Sequence, residues 1–239
     1  MPVSVVIPVF NEEGNIGRLV KETYSAIDDT LLGEVIVVDD CSTDGTAAEI
    51  VALKESHPSL RLVRHLKNAG QSAALRTGIL AARFSVIASM DGDGQNDPHD
   101  IPALFARLGE PGDRSRPALV GGVRTRRQDS GSKKLASRAA NWIRDRVLGD
   151  DCPDTGCGIK VYWREAFLLL PFFTSIHRYL PALFQTYGYK TAYHPVNDRP
   201  RVIGVSKYNN LNRAIIGLYD LFGVTWLRRR TRAPETREE

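Results

Sequence analysis

Apolar runs that stop at carboxylates set the strongest limit on how this chain can fold. Val3–Val9 runs into Phe10-Asn11-Glu12-Glu13, residues 34–38 run into Asp39-Asp40-Cys41-Ser42-Thr43-Asp44-Gly45, and residues 84–90 run into Asp91-Gly92-Asp93-Gly94-Gln95. Continuous β-branched stretches of this kind suit strands buried on both faces of a parallel sheet. Between the first two, Ile16, Leu19, Val20, Tyr24 and Ile27 lie at helical spacing and predict a helix over about 15–27. Residues 60–65 read as a further strand and 71–83 as a further helix. Strands alternating with helices imply an α/β domain with a mostly parallel central sheet and crossover connections. Ligands of such sheets gather beyond the carboxyl ends of the strands, so the three acidic clusters are predicted to meet in one cleft.

In the last cluster Asp91 and Asp93 stand one residue apart at a strand end. Mg²⁺ and Mn²⁺ are hard cations that take oxygen ligands and share them with substrate phosphates, so the pair points to chemistry on a nucleotide diphosphate. An isolated Asp-Gly-Asp is also an ordinary turn, and it is the two companion clusters that favour a site. Asp44-Gly45-Thr46 opens a helix predicted to reach about residue 54, so Asp44 reads as a cap, whereas Asp39 and Asp40 read as ligand-binding. Gly70 permits either a close backbone approach or a plain helix start.

At 239 residues and 42% hydrophobic, the chain can bury one core without splitting. The N-terminal apolar run is short, lacks a basic leader and contains Pro8, so no signal peptide and a cytoplasmic location are expected. Cys41, Cys152 and Cys157 lack metal-site spacing and read as small buried thiols. His57, His65, His99, His177 and His194 read as surface or packing groups. The net charge of +4 hides an asymmetry, with basic residues crowded into 124–146 and 228–237 and acidic ones toward the N-terminus. Basic runs without an aromatic stacking platform, beside a cleft that would repel a polyanion, argue against nucleic acid and for an anionic lipid phosphate at a membrane surface. Residues 211–227 are mostly apolar but interrupted by Asn212, Arg213 and Asp220, and fall short of the roughly 20 apolar residues a membrane span needs. With Arg228, Arg229 and Arg230 after them, they read either as an interfacial helix or as a helix packed on the domain.

The strings VVIPVFNEE, VVDDCSTDGT, NAGQSAALRTG and MDGDGQNDP closely resemble family-2 glycosyltransferases of the GT-A type. VRTRRQDSGSKKLASRAAN, DTGCGIKVYWREAF and RPRVIGVSKY resemble the branch of that family made of dolichyl- or polyprenyl-phosphate sugar synthases, and the likeness runs over about residues 3–226. The resemblance implies a three-layer GT-A domain over 1–208; the residues after it read as a C-terminal amphipathic or interfacial helix over 209–230 and a polar, disordered tail over 231–239. The same resemblance implies metal-dependent, inverting transfer of a hexose to a polyprenyl phosphate, by default mannose from GDP-mannose, with a UDP-hexose as the next donor. The enzyme would be peripheral on the inner face of the membrane; a membrane-protein partner or a homo-oligomer is left open.

Carried over by position, Pro8, Phe10, Glu12, Val37, Asp39 and Asp40 line the nucleotide pocket. Asp93 and Gln95 hold Mg²⁺ or Mn²⁺, and Asp91 with Gly92 contacts the ribose or donor sugar. Arg124, Arg201 and Lys207 face the donor phosphates. Lys134, Ser137 and Arg138 handle the acceptor phosphate, and Asp91, Asp93 and Arg138 form the catalytic set. Positions 134, 137, 138 and 141 also share one face of the helix predicted over 132–147. A polyprenyl phosphate is already ionised near neutral pH and attacks without a general base, so no histidine is required. Lys160 stands where many relatives carry Arg, and Asp198 where bacterial relatives often have His, which leaves the sugar open. Two alternatives stand beside this reading: transfer to a saccharide hydroxyl, which would need a carboxylate base, and a non-catalytic nucleotide-binding or membrane-adaptor module, against which the intact Asp91, Asp93, Arg124, Arg201 and Lys207 argue.

Overall fold

The computed structural model describes residues 1–125, 144, 146–200 and 210–232, with side chains from 217 onward in the last segment. Seven strands form one sheet in the order β3-β2-β1-β4-β6-β5-β7. They are β1 (Val3–Val9), β2 (Leu32–Asp39), β3 (Leu60–Arg64), β4 (Val86–Ser89), β5 (Pro117–Arg124), β6 (Lys160–Trp163) and β7 (Lys190–Val196). All pairings are parallel except those of β6, which runs antiparallel to both β4 and β5. Helices α1 (Ile16–Ala26), α2 (Thr46–Leu53) and α3 (Gln71–Ala81) connect the first four strands. Helices α4 (Ile101–Phe105), α5 (Arg164–Leu168), α6 (Leu180–Thr186) and α7 (Asn210–Arg230) complete the described set.

Every residue of β1 is buried, as its unbroken apolar run requires, whereas the edge strands β3 and β7 are half-exposed. The reversal of β6 matters for the site. Its first residue, Lys160, pairs with Ser89 and Gly121, so the preceding loop 154–159 stands at the carboxyl ends of the parallel strands.

The loops after β1 and β2 are laced together by side chains. Asn11 N donates to Ser42 Oγ at 2.9 Å, Glu12 N to Thr46 Oγ1 at 2.8 Å and Thr43 N to Asn11 Oδ1 at 2.8 Å. Glu49 of α2 accepts from Gly14 N, just before α1, and from Gly17 N, a donor that the first turn of α1 leaves open. Asp44 accepts from Thr46 N and Glu13 N; the cap position itself is Gly45, so Asp44 stands one residue ahead of the place read for it and closes a turn onto the helix start.

Helix α7 is two-sided. Leu221 and Val224 are buried, Tyr179 Oη donates to Gly217 O at 3.1 Å, and Arg228 Nε donates to Thr186 Oγ1 at 3.1 Å. At about 100° per residue, Leu218, Tyr219, Phe222 and Trp226 fall on the opposite side. They are 54%, 79%, 69% and 65% exposed, and Arg229 and Arg230 on that side are also exposed. Packing and an outward apolar face therefore coexist. Arg228 departs from its expected outward position because its turn faces α6. Among the described residues no helix is long and apolar enough to cross a membrane.

Candidate active site

A cavity of about 670 Å³, within the range of small-molecule sites, opens beyond the carboxyl ends of β1 and β4. Pro8, Phe10 and Glu12 reach it from the end of β1, and Asp40 from the residue after β2. Asp91, Gly92, Asp93 and Gln95 enter from the turn after β4, Arg124 from the last position of β5 and Lys160 from the first of β6. Clusters distant in sequence thus share one cleft.

Asp91 is held on three sides. Its Oδ1 accepts from Gln71 Nε2 at 2.7 Å, and its backbone N–H donates to Asn96 Oδ1 at 3.0 Å. A Cβ at Gly158 would lie 2.5 Å from the Asp91 carboxylate carbon, so only glycine lets the two meet. Gly92 plays the same part toward β1, where a Cβ would fall 2.4 Å from Val9 Cγ1. Asp93 Oδ1 accepts from Gln95 N at 3.1 Å, which closes the turn. Two carboxylates and a carboxamide on one tight turn form an oxygen donor set, and that chemistry fits a hard divalent cation.

Other predicted residues are committed elsewhere. Val37 is fully buried in the middle of β2 and does not line the cavity, because its position in a doubly covered strand turns it into the core. Asp39 does not line it either: its fully buried carboxylate accepts from Ser42 N at 2.9 Å and from Arg64 Nε at 3.0 Å. Asp40 lines the cavity, but its carboxylate accepts from Ala69 N, Gly70 N and His65 Nδ1 and so anchors the turn that starts α3. That turn needs Gly70, whose φ is +86°. Arg124 forms a bidentate pair with Asp154, Nε to Oδ2 at 2.7 Å and Nη2 to Oδ1 at 2.9 Å, so its charge is offset within the protein. The pair pushes the guanidinium pKa up. Lys134, Ser137, Arg138, Asn141, Arg201 and Lys207 lie outside the described residues.

The cavity also takes in residues to which the sequence reading gives no individual site role. Gln71, Asn68 and Gly158 line it, and so do His177, read from the sequence as a surface or packing group, and Arg178. Of the cysteines, Cys152 and Cys157 are buried, while Cys41 is half-exposed at a left-handed turn with φ +65°. Cys157 borders the cavity, and burial pushes its thiol up to about 11. Beside the site, Glu22, Asp97 and His99 could converge on a cation, but Arg199 occupies that place, donating to Asp97 Oδ1 and Glu22 Oε1 at 2.6 Å each. Burial raises the Asp97 carboxyl, yet Arg199 and the His99 donors outweigh it and hold it down at about 2.

Residues 4–169 match the profile of the family described as glycosyl transferase family 2. The chain belongs to this family. It is a glycosyltransferase with an α/β fold of the GT-A type, as the sheet also shows. The family 2 chain is 34% identical over 233 residues to the dodecaprenyl-phosphate galacturonate synthase of Rhizobium johnstonii, an alignment covering 96% of this chain and 68% of that one. It is 35% identical over 224 residues to the undecaprenyl-phosphate 4-deoxy-4-formamido-L-arabinose transferase of Pectobacterium carotovorum, covering 92% and 66%. The glycosyltransferase thus spans about two thirds of the length of these curated relatives. Among solved structures it resembles glucosyl-3-phosphoglycerate synthase from Mycobacterium tuberculosis in complex with Mg²⁺ and uridine diphosphate, with a TM-score of 0.69, 20% identity and coverage of 98% and 81%. The same synthase in complex with Mn²⁺, uridine diphosphate and phosphoglyceric acid gives a TM-score of 0.70.

Proposed function

We propose that this glycosyltransferase moves a sugar from a nucleoside-diphosphate donor to the phosphate of a polyprenyl lipid, with inversion at the anomeric carbon. The observation that carries the reading is the meeting of Asp91 and Asp93 with Phe10 and Glu12 in one cavity, in a chain 34% identical to a polyprenyl-phosphate sugar synthase. A lipid phosphate oxygen attacks the anomeric carbon, the bond from that carbon to the donor phosphate breaks, and the nucleoside diphosphate leaves with the electron pair. The attacking oxygen carries no proton at neutral pH, so the step needs no base.

Phe10 and Glu12 flank the nucleoside, and Asp91, fixed by Gln71 and Gly158, accepts hydroxyl hydrogens of the ribose or donor sugar. Asp93 and Gln95 would hold Mg²⁺ or Mn²⁺, which when bound supplies Lewis-acid relief of the charge that builds on the leaving diphosphate. The sugars in the curated relatives' names, galacturonate and formamido-arabinose, are not mannose, so of the two donors read from the sequence we take the UDP-linked one ahead of GDP-mannose. A polyprenyl acceptor puts the working enzyme on a membrane surface, and the outward face of α7, ending in Arg229 and Arg230, is the surface suited to lie on it.

Ligand-dependent melting tests the donor, because a compound that binds only the folded state raises its midpoint. UDP-sugars with Mn²⁺ or Mg²⁺ are expected to raise Tm, GDP-mannose to leave it unchanged, and EDTA to abolish the rise. Stabilisation by GDP-mannose alone would restore the mannose donor. No response to any nucleotide sugar would contradict the reading.

A further inference from the structure

One wall of the cavity is made by a segment that the reaction outlined above leaves without a task. Ser175, at a left-handed φ of +72°, turns the chain into a single 3-10 turn, Ile176–Arg178. Such a backbone is unfavourable for a residue other than glycine and persists only where its surroundings hold it. They do so here: Ile176 and Tyr179 are buried, and His177 Nδ1 lies 2.7 Å from Ser72 Oγ in the first turn of α3. His177 and Arg178 both line the cavity.

The charges around them make the segment informative. Of the cations that line the cavity among the described residues, Arg124 is paired with Asp154, and Lys160 is buried with its ammonium donating to the Cys157 carbonyl. Arg178 has no carboxylate partner among the described residues. Glu12, Asp40, Asp91 and Asp93 line the same cavity. A nucleoside diphosphate and a lipid phosphate both bring further negative charge, and a divalent cation on the Asp91–Asp93 turn is largely offset by those two carboxylates. A guanidinium has the planar fork that phosphate oxygens accept in pairs. We propose that Arg178, with His177 beside it, forms a phosphate-binding subsite of this glycosyltransferase. The proposal rests on the reaction given above, and its ligand is a phosphate oxygen of either the donor or the lipid acceptor.

Binding without turnover separates the two sources. The full chain, Arg178→Ala, Arg178→Lys and Ser72→Ala would be titrated calorimetrically with UDP plus Mn²⁺, with inorganic pyrophosphate, and with geranylgeranyl phosphate and geranylgeraniol in detergent. Losing one charge-assisted contact is expected to weaken a phosphate ligand about 10- to 100-fold in Arg178→Ala. Arg178→Lys should recover part of the loss, Ser72→Ala should show a smaller one, and the alcohol should bind unchanged. Loss confined to UDP and pyrophosphate assigns the subsite to the donor; loss confined to geranylgeranyl phosphate assigns it to the acceptor. Affinities within twofold of wild type for all three phosphates would overturn the proposal, as would an equal loss for the alcohol or a wild-type chain that binds none of the phosphates. If wild type binds UDP but not geranylgeranyl phosphate, the acceptor reading falls, and the response of UDP to Arg178→Ala still decides the subsite.

Discussion

At Gly158 one hydrogen atom in place of a methyl group decides where the Asp91 carboxylate stands, since a Cβ there would meet it at 2.5 Å. Gly158→Ala should therefore displace Asp91 and lower kcat on the order of 100-fold, as misplacement by about 1 Å can, while Tm falls only modestly. Asp93→Asn should remove most turnover with Tm unchanged; full activity of that variant in chelated buffer would sink the metal assignment. Burial also keeps Cys157 protonated at neutral pH, so iodoacetamide at pH 7.5 should modify Cys41 alone in the native chain and all three cysteines after denaturation, as counted by intact mass. The Asp91–Asp93 pair was legible as a candidate because two carboxylates one residue apart follow an apolar run, and both line the cavity. The string holding Gly158 also stands out, but its close approach to Asp91 was not legible, because the clash it avoids is with a residue far away in the chain. The partners of Asp39 and Arg124 were hidden in the same way: Arg64 on the adjacent strand binds the first and Asp154, 30 residues on, the second, and Arg124 still lines the cavity.

At the scale of elements, the segment 195–199 is bound to the turn after β4 by Arg199. Its backbone N–H donates to Gln95 O at 3.0 Å while its guanidinium spans Asp97 and Glu22. Asp97 is depressed to about 2, below its value of about 3.9 in an unfolded chain, so its contribution to stability is full above the unfolded value and is lost as pH falls through the folded one. Arg199→Ala should accordingly melt lower than wild type above pH 5, with the gap closing between pH 4 and pH 2; a gap that does not change with pH would assign the loss to packing. In α7, the two open readings, interfacial or packed, come from an interrupted apolar run ending in three arginines; which arginine turns inward was not readable, since that depends on Thr186 of α6. Replacing Phe222 and Trp226 by serine should release the protein from anionic vesicles, and Arg229 and Arg230 to glutamine should remove the salt-sensitive part of binding. Arg228→Gln should leave vesicle binding intact. Retention of the Phe222/Trp226 double variant on vesicles would move the membrane contact off this face.

Over the whole molecule, the parallel half of the sheet followed from the alternation of apolar runs and helical spacing, whereas the reversal of β6 did not. Lys160–Trp163 is too short and too uniformly buried for its sequence to mark a direction. Yet that reversal brings loop 154–159, with Asp154, Cys157 and Gly158, to the carboxyl ends of the other strands and so completes the cavity. A cleft built from both kinds of strand, with carboxylates on the strand-end turns and Arg178 on the bordering 3-10 turn, suits two phosphate-bearing substrates meeting at one carbon. The decisive measurement is transfer of a radiolabelled sugar from a UDP-sugar, with Mn²⁺ or Mg²⁺, to undecaprenyl phosphate in detergent, followed by extraction of the lipid. Label is expected in the lipid phase, dependent on the acceptor phosphate and absent with undecaprenol. Label that stays in the aqueous phase with every nucleotide sugar, or passes equally to undecaprenol or to a free saccharide, would contradict transfer to a polyprenyl phosphate.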